Sequence, residues 1–305
     1  METVERDYTP KGVRFYYVYK PLAHAELDGY VTPLTLEERL MHVEEAKRRL
    51  GTSVNWLADT MDNVFHDAMG QTPNSEIVID PDGIVVAARA WSDPEDLRRD
   101  MERLVGPVDH PTTIAELNLP RQPPPPTVAK GIVPRIERPS GMMTLQIQPV
   151  LETTDVPFYV KIRAEGDLGV LTNGNGTMYL GFHLDPLYRV HWNNEAGPVR
   201  YRVTTPPGVT MTPANGIGPD VDEPADADPR EFLLAVTADD VEEPLNLEVF
   251  YFACDDALTF CIPVTQNYRI WLQQDMNHGP SAPGEDSQNL GSPGGGRGMG
   301  MGRAG

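Results

Sequence analysis

Two kinds of apolar pattern alternate along residues 12–106. Val13–Lys20 is a β-branched and aromatic run, which predicts a buried strand. A helical pattern follows. Thr35 with Glu38 three residues on forms a capping box, Leu36, Leu40, Val43 and Leu50 recur at helical spacing, and Gly51 supplies the stop. A short strand is predicted at 55–60 and a short helix from Met61 to Gly70. Two apolar runs around Asp82-Gly83 predict a β-hairpin over 75–90. Ser92 with Glu95 predicts the cap of a last helix, whose buried stripe is Leu97, Met101 and Leu104.

Residues 107–141 lose this periodicity. Their proline-rich sequence predicts an extended, semi-stiff linker. Residues 142–273 carry seven short strand patterns with turn signals and no good helix, which predicts a β-sandwich. Residues 274–305 end in GSPGGGRGMGMGRAG, a Gly-rich composition that cannot bury a core and predicts disorder. The expected architecture is an α/β unit over 1–106, a linker, an all-β domain and a tail.

Composition narrows the function classes. The 305 residues carry 45 acidic against 25 basic side chains, a formal charge of −20. Such a chain repels phosphate backbones and anionic lipid, so nucleic acid is an unsuitable partner. No apolar run reaches the roughly 18 residues of a membrane span. The start, METVERDYTPKG, lacks the apolar core of a secretory signal. Seven histidines show no HxH or HExxH spacing, and there is no CxxC, so no metal site is predicted. No GxSxG or phosphate-loop motif occurs, and no cofactor is predicted.

The order of elements in 1–106, with Thr72-Pro73 just before the hairpin, resembles the thioredoxin-like fold, where a cis-proline holds that place. VRFYYVYKPLAHAELDGY and LADTMDN resemble the iodothyronine deiodinase family of that superfamily. The resemblance implies site roles for His24, Asp28 and Pro73. The first core strand and the redox cysteine of that family have no counterpart here. The expectation is therefore an incomplete thioredoxin-like domain, with Met1 an internal methionine of the first helix and the frame beginning further upstream. A signal peptide in that upstream part would make the protein periplasmic or extracellular. If Met1 is the true start, the protein is cytoplasmic.

The only two cysteines, Cys254 and Cys261, flank the six residues DDALTF. Leu245, Leu247, Val249 and Tyr251 share one strand face, and Ile262, Val264, Tyr268 and Ile270 share the facing one. Both cysteines fall on the opposite, outer face. A hairpin would set them opposite each other at disulfide distance. Asp255 and Asp256 disfavour a thiolate at Cys254, which suits a disulfide attacked by a partner's thiolate. Phe252 and Phe260 are placed to shield the pair. The pattern Cys254, short acidic loop, Phe260-Cys261 and Pro263 is similar to the N-terminal immunoglobulin-like domain of the DsbD thiol:disulfide interchange family. That resemblance implies electron exchange with a thioredoxin-like or other redox protein. The alternative is a non-catalytic protein-binding module in which the disulfide is only a brace.

Overall fold

The computed structural model describes residues 1–22, 29–70, 72, 74–119, 122–123, 129–151, 156–239 and 242–276. His24, Asp28 and Pro73 lie outside these residues, as does most of the Gly-rich tail.

The N-terminal part begins with helix α1 (Glu2–Tyr8), strand β1 (Tyr16–Tyr19), helix α2 (Leu36–Leu50), strand β2 (Asn55–Ala58) and helix α3 (Val64–Ala68). Strands β3 (Glu76–Ile79) and β4 (Val85–Arg89) and helix α4 (Pro94–Val105) complete it. Its strands form two separate pairs, β1 with β2 in parallel and β3 with β4 antiparallel. The predicted hairpin is there: the Asp80 carboxylate accepts from the backbone N–H of Asp82 and Ile84, and Gly83 supplies a positive φ. One small core holds Val4 and Tyr8 of α1, Val78, and Leu97 and Met101 of α4, with Val13 and Phe15 packed against it.

Two helix expectations need correction. Asp93, not Ser92, caps α4: its carboxylate accepts from Glu95 N–H and Asp96 N–H, while Ser92 donates to Glu76. Pro94, whose fixed φ suits the first helical position, sets that frame. Helix α2 keeps its Thr35 cap but turns over. Leu36, Leu40 and Leu50 are each 49% exposed, whereas Glu38, Arg39 and His42 are buried beside Val43. The polar residues win the interior because each finds a partner there. Arg39 donates to the carbonyls of Asp59 and Thr60 and to Asn63. Glu38 meets a lysine of the β domain.

The proline-rich segment is tied at both ends. Helix α5 (Ile114–Leu117) sits against α1: Arg6 donates to the Glu116 carbonyl, and the Asp7 carboxylate accepts from Thr112. Further on, the Asp228 carboxylate accepts from the backbone N–H of Lys130, Gly131 and Val133, and Glu231 takes Ile136 N–H and Arg135. Such side-chain-to-backbone anchors leave no periodic trace in a sequence.

The rest is a large antiparallel sheet, nearly closed around one core. Its strands are β5 (Met143–Pro149), β6 (Val160–Gly166), β7 (Asn175–Leu184), β8 (Val190–Asn193), β9 (Arg200–Thr204), β10 (Val209–Thr212) and β11 (Asn215–Ile217). They continue with β12 (Ala225–Asp226), β13 (Arg230–Ala238), β14 (Leu245–Asp255) and β15 (Cys261–Gln274). One short helix, α6 (Leu168–Asn173), precedes β7. The order is β10-β13-β7-β6-β5-β15-β14-β8-β12, with β9 between β14 and β11. Strand β5 pairs with β6 through Met143 and Thr144 and with β15 through Leu145–Pro149, so the sheet turns there. Alternation of the side chains places Leu245, Leu247, Val249 and Tyr251 in the core with Val264, Tyr268 and Ile270. No helix among the described residues is long and apolar enough to cross a membrane.

Candidate functional site: a cross-strand disulfide under a polar cover

Strands β14 and β15 pair continuously from Leu245↔Ile270 to Cys254↔Cys261. The cysteines close the open end of this hairpin and form a disulfide. Pairing fixes the register, so both side chains project to the outer face as the alternation predicts. Their exposure differs. Cys261 is exposed, whereas Cys254 is buried at 5%. Facing outward thus does not make Cys254 exposed. The cause is β8, which pairs along β14 and sets His191 opposite Cys254. The Asn193 amide reaches Cys261 Sγ at 3.0 Å, and His191 Nδ1 meets Asp256 Oδ1 at 3.2 Å. His191 thus stands beside the buried Cys254, and Asn193 rests against the sulfur of Cys261.

The loop residues take separate tasks. Asp255 is a loop cap. Its carboxylate accepts from Thr259 N–H at 2.6 Å, Thr259 Oγ1 at 2.6 Å and Phe260 N–H at 2.9 Å. The Thr259 hydroxyl first, then these backbone donors, hold its pKa below the usual carboxylate range. Asp256 donates its N–H to the Arg189 carbonyl at 2.9 Å, tying the loop to the turn before β8. Phe252 is half-buried on the outer face, opposite Pro263 and edge-on to Phe250 at 5.4 Å. Phe260 is not a shield. It stacks on Tyr159 at 5.9 Å and packs against the main core. The sequence reading missed His191 and Asn193, because their contribution rests on β8 lying beside β14, and nothing local in YRVHWNN announces that pairing.

A second polar constellation lies where α2 meets the sheet. Lys161 Nζ, only 2% exposed, donates to Glu38 Oε1 at 2.6 Å and to the Phe158 carbonyl, and faces Asp185 Oδ2 at 3.4 Å. Tyr188 donates to the same Glu38 oxygen at 3.0 Å, and its ring lies 5.2 Å from the ammonium. Burial, then the Glu38 charge, pushes the Tyr188 phenol upward. His42 Nδ1 is 2.7 Å from Tyr19 Oη, and burial depresses its pKa. One ammonium serves two carboxylates, and each of the three is held by an ion pair, so the cluster acts as an interlock between α2 and the β domain. Tyr188 also stands edge-on to Tyr159, the ring that Phe260 stacks on. Interlock and disulfide loop thus share one aromatic wall.

Among the described residues, no group of three or more His, Cys, Asp or Glu side chains is arranged to hold a metal ion. The chemistry this arrangement offers is thiol–disulfide exchange at Cys261, with Cys254 as the leaving sulfur. No family model matches the chain, and neither do the curated proteins or the solved structures compared with it.

Proposed function

We propose that the chain is a thiol–disulfide redox protein of an oxidising, extracytoplasmic compartment, exchanging electrons with a thioredoxin-like partner through Cys254–Cys261. The observation that carries this reading is the asymmetry of the pair: Cys261 is an exposed residue and Cys254 a buried one. A partner thiolate attacks Cys261 Sγ and forms a mixed disulfide. Cys254 leaves as a thiolate and takes a proton from solvent. A second partner thiol then attacks the partner's own sulfur, closing the partner's disulfide and freeing Cys261. Asn193 Nδ2 is placed to donate to the released Cys261 thiolate.

The all-β part is read as an immunoglobulin-like sandwich related to the DsbD interchange domain. The turn of the sheet at β5 and the single core support this. Residues 1–106 are read as a thioredoxin-like module, supported by α1 and α4 packing with β3 and β4 around one small core. That module contributes no cysteine.

The burial of Cys254 favours a second reading, a non-catalytic protein-binding module braced by the disulfide. Incubation with catalytic amounts of a thioredoxin and its reductase and an excess of NADPH as electron donor, followed by alkylation and mass measurement, separates the two. The redox reading predicts two alkylated cysteines in the folded protein. Two protected cysteines under the same conditions would establish the brace.

A further inference from the structure

The sheet face around the disulfide is not uniform. Moving along β14 away from Cys254, the next outward residues are Phe252 and Phe250, both half-buried. Pro263 stands opposite Phe252, and Arg200 of β9 stands opposite Phe250. Ile217 of β11, 62% exposed, pairs with Arg200 and extends the apolar stripe sideways. Past it, Arg202 pairs with Glu248 at 2.9 Å, and Arg269 lies outward on β15. Apart from Asp255 at the loop end, the charged residues of these four strands are Arg200, Arg202, Arg269 and Glu248. Among the described residues, Glu248 pairs with Arg202, and neither Arg200 nor Arg269 shows an ion pair. In a chain of charge −20, these four strands thus carry three arginines against one glutamate on an outer face with an apolar stripe, and that face leads to the exposed Cys261.

We propose that this outer face of β9, β11, β14 and β15 is the docking surface for an acidic dithiol protein. The proposal rests on the redox reading given above. An apolar segment of the partner covers Phe250, Phe252 and Ile217. Its carboxylates face Arg200 and Arg269, and its thiolate reaches Cys261. Arg200 lies four strand positions from Cys254, about 13 Å at the rise of a β-strand, a span that one partner surface covers easily. The rest of the acidic chain repels such a partner, so the field selects this approach and speeds correct encounters. Of the two loop acids, Asp255 has its carboxylate turned into the loop and Asp256 faces His191 Nδ1 at 3.2 Å.

The test compares two reductants on the full chain. One is a reduced thioredoxin of net negative charge; the other is uncharged dithiothreitol. The double variant R200E/R269E and the exposed-site variant I217E are compared with the parent at low ionic strength. The expected result is a fall of about five- to tenfold in the thioredoxin rate for the double variant, with the dithiothreitol rate changed less than about twofold. At about 0.5 M salt the thioredoxin difference shrinks toward twofold. I217E slows thioredoxin alone, by about threefold. Equal slowing with both reductants, or no slowing by thioredoxin in either variant, overturns the docking surface while leaving the redox reading intact. A disulfide that dithiothreitol opens and thioredoxin never does overturns both.

Discussion

The β14–β15 hairpin and helix α2 treat their apolar residues in opposite ways. In the hairpin, every second residue from Leu245 to Tyr251 is buried, and the alternates Asn246, Glu248 and Phe250 stand outside. In α2, leucines at 36, 40 and 50 are half-exposed, and Glu38, Arg39 and His42 are inside. A ladder of backbone hydrogen bonds fixes the hairpin's faces, so a one-residue slip would expose the whole core set. A helix of four turns has no such constraint. It rotates to the face that best satisfies its surroundings, and here those include a buried lysine. Leu40 instead lines an open cleft of about 650 Å³ between α2 and the 186–189 turn.

The largest expected effect breaks the polar side of this contrast. Lys161→Ala leaves Glu38 and Asp185 buried without their cation and should cost about 3–5 kcal/mol in denaturant unfolding. Adding Glu38→Gln to a Lys161→Met background should recover part of that loss. If Lys161→Ala costs less than about 1 kcal/mol, α2 is not held by this pair.

Two leucines sharpen the contrast directly. Leu247, 1% exposed, should cost about 2–5 kcal/mol on truncation to Ala. Leu40→Ala should stay within about 0.5 kcal/mol. Similar costs at both sites would mean that α2 packs its leucine face after all.

Acid should act on the outer side of the β domain next. Complete burial holds His183 down to about 3. Its unfolded value is about 6.5, so the unfolded chain binds the proton first. The contribution of His183 to stability is whole above about pH 6.5 and is lost as pH falls toward 3. Between pH 7 and 4.5 this amounts to about 2–3 kcal/mol, to which His42, also depressed by burial, adds in the same sense. His183→Gln should flatten most of that slope in unfolding measured against pH. An unchanged slope would place the acid sensitivity elsewhere.

The smallest effect is at the loop. Asp255→Ala removes the acceptor of three hydrogen bonds at the turn and should lower stability only slightly in denaturant unfolding. The same variant should react faster with small thiols, since the loop beside Cys261 loosens. Slower reaction would mean that the Asp255 carboxylate assists attack.

The sequence was readable where its signals are local and periodic. The Asp82-Gly83 hairpin, the Thr35 cap and the facing of both cysteines all follow from spacing alone. Three features depend on partners far along the chain, and no local pattern reports them. Lys161 looks like a strand residue due for solvent until Glu38, 123 residues earlier, is set against it. Asp228 looks like a loop residue until it is seen to collect three N–H groups near residue 131. The cover over Cys254 requires β8 to pair beside it. In each case the deciding contact is non-local, polar and made by one or two side chains.

The central claim is that Cys254–Cys261 exchanges electrons with protein partners rather than serving as a brace. Its most direct test is the reduction potential of the pair in the folded chain, from equilibration against defined thiol–disulfide buffers with alkylation and mass readout. The account predicts a value above about −300 mV, in the range where thioredoxin-type partners can reduce the pair. A value well below that range, with no exchange to a reduced thioredoxin over hours, would contradict it.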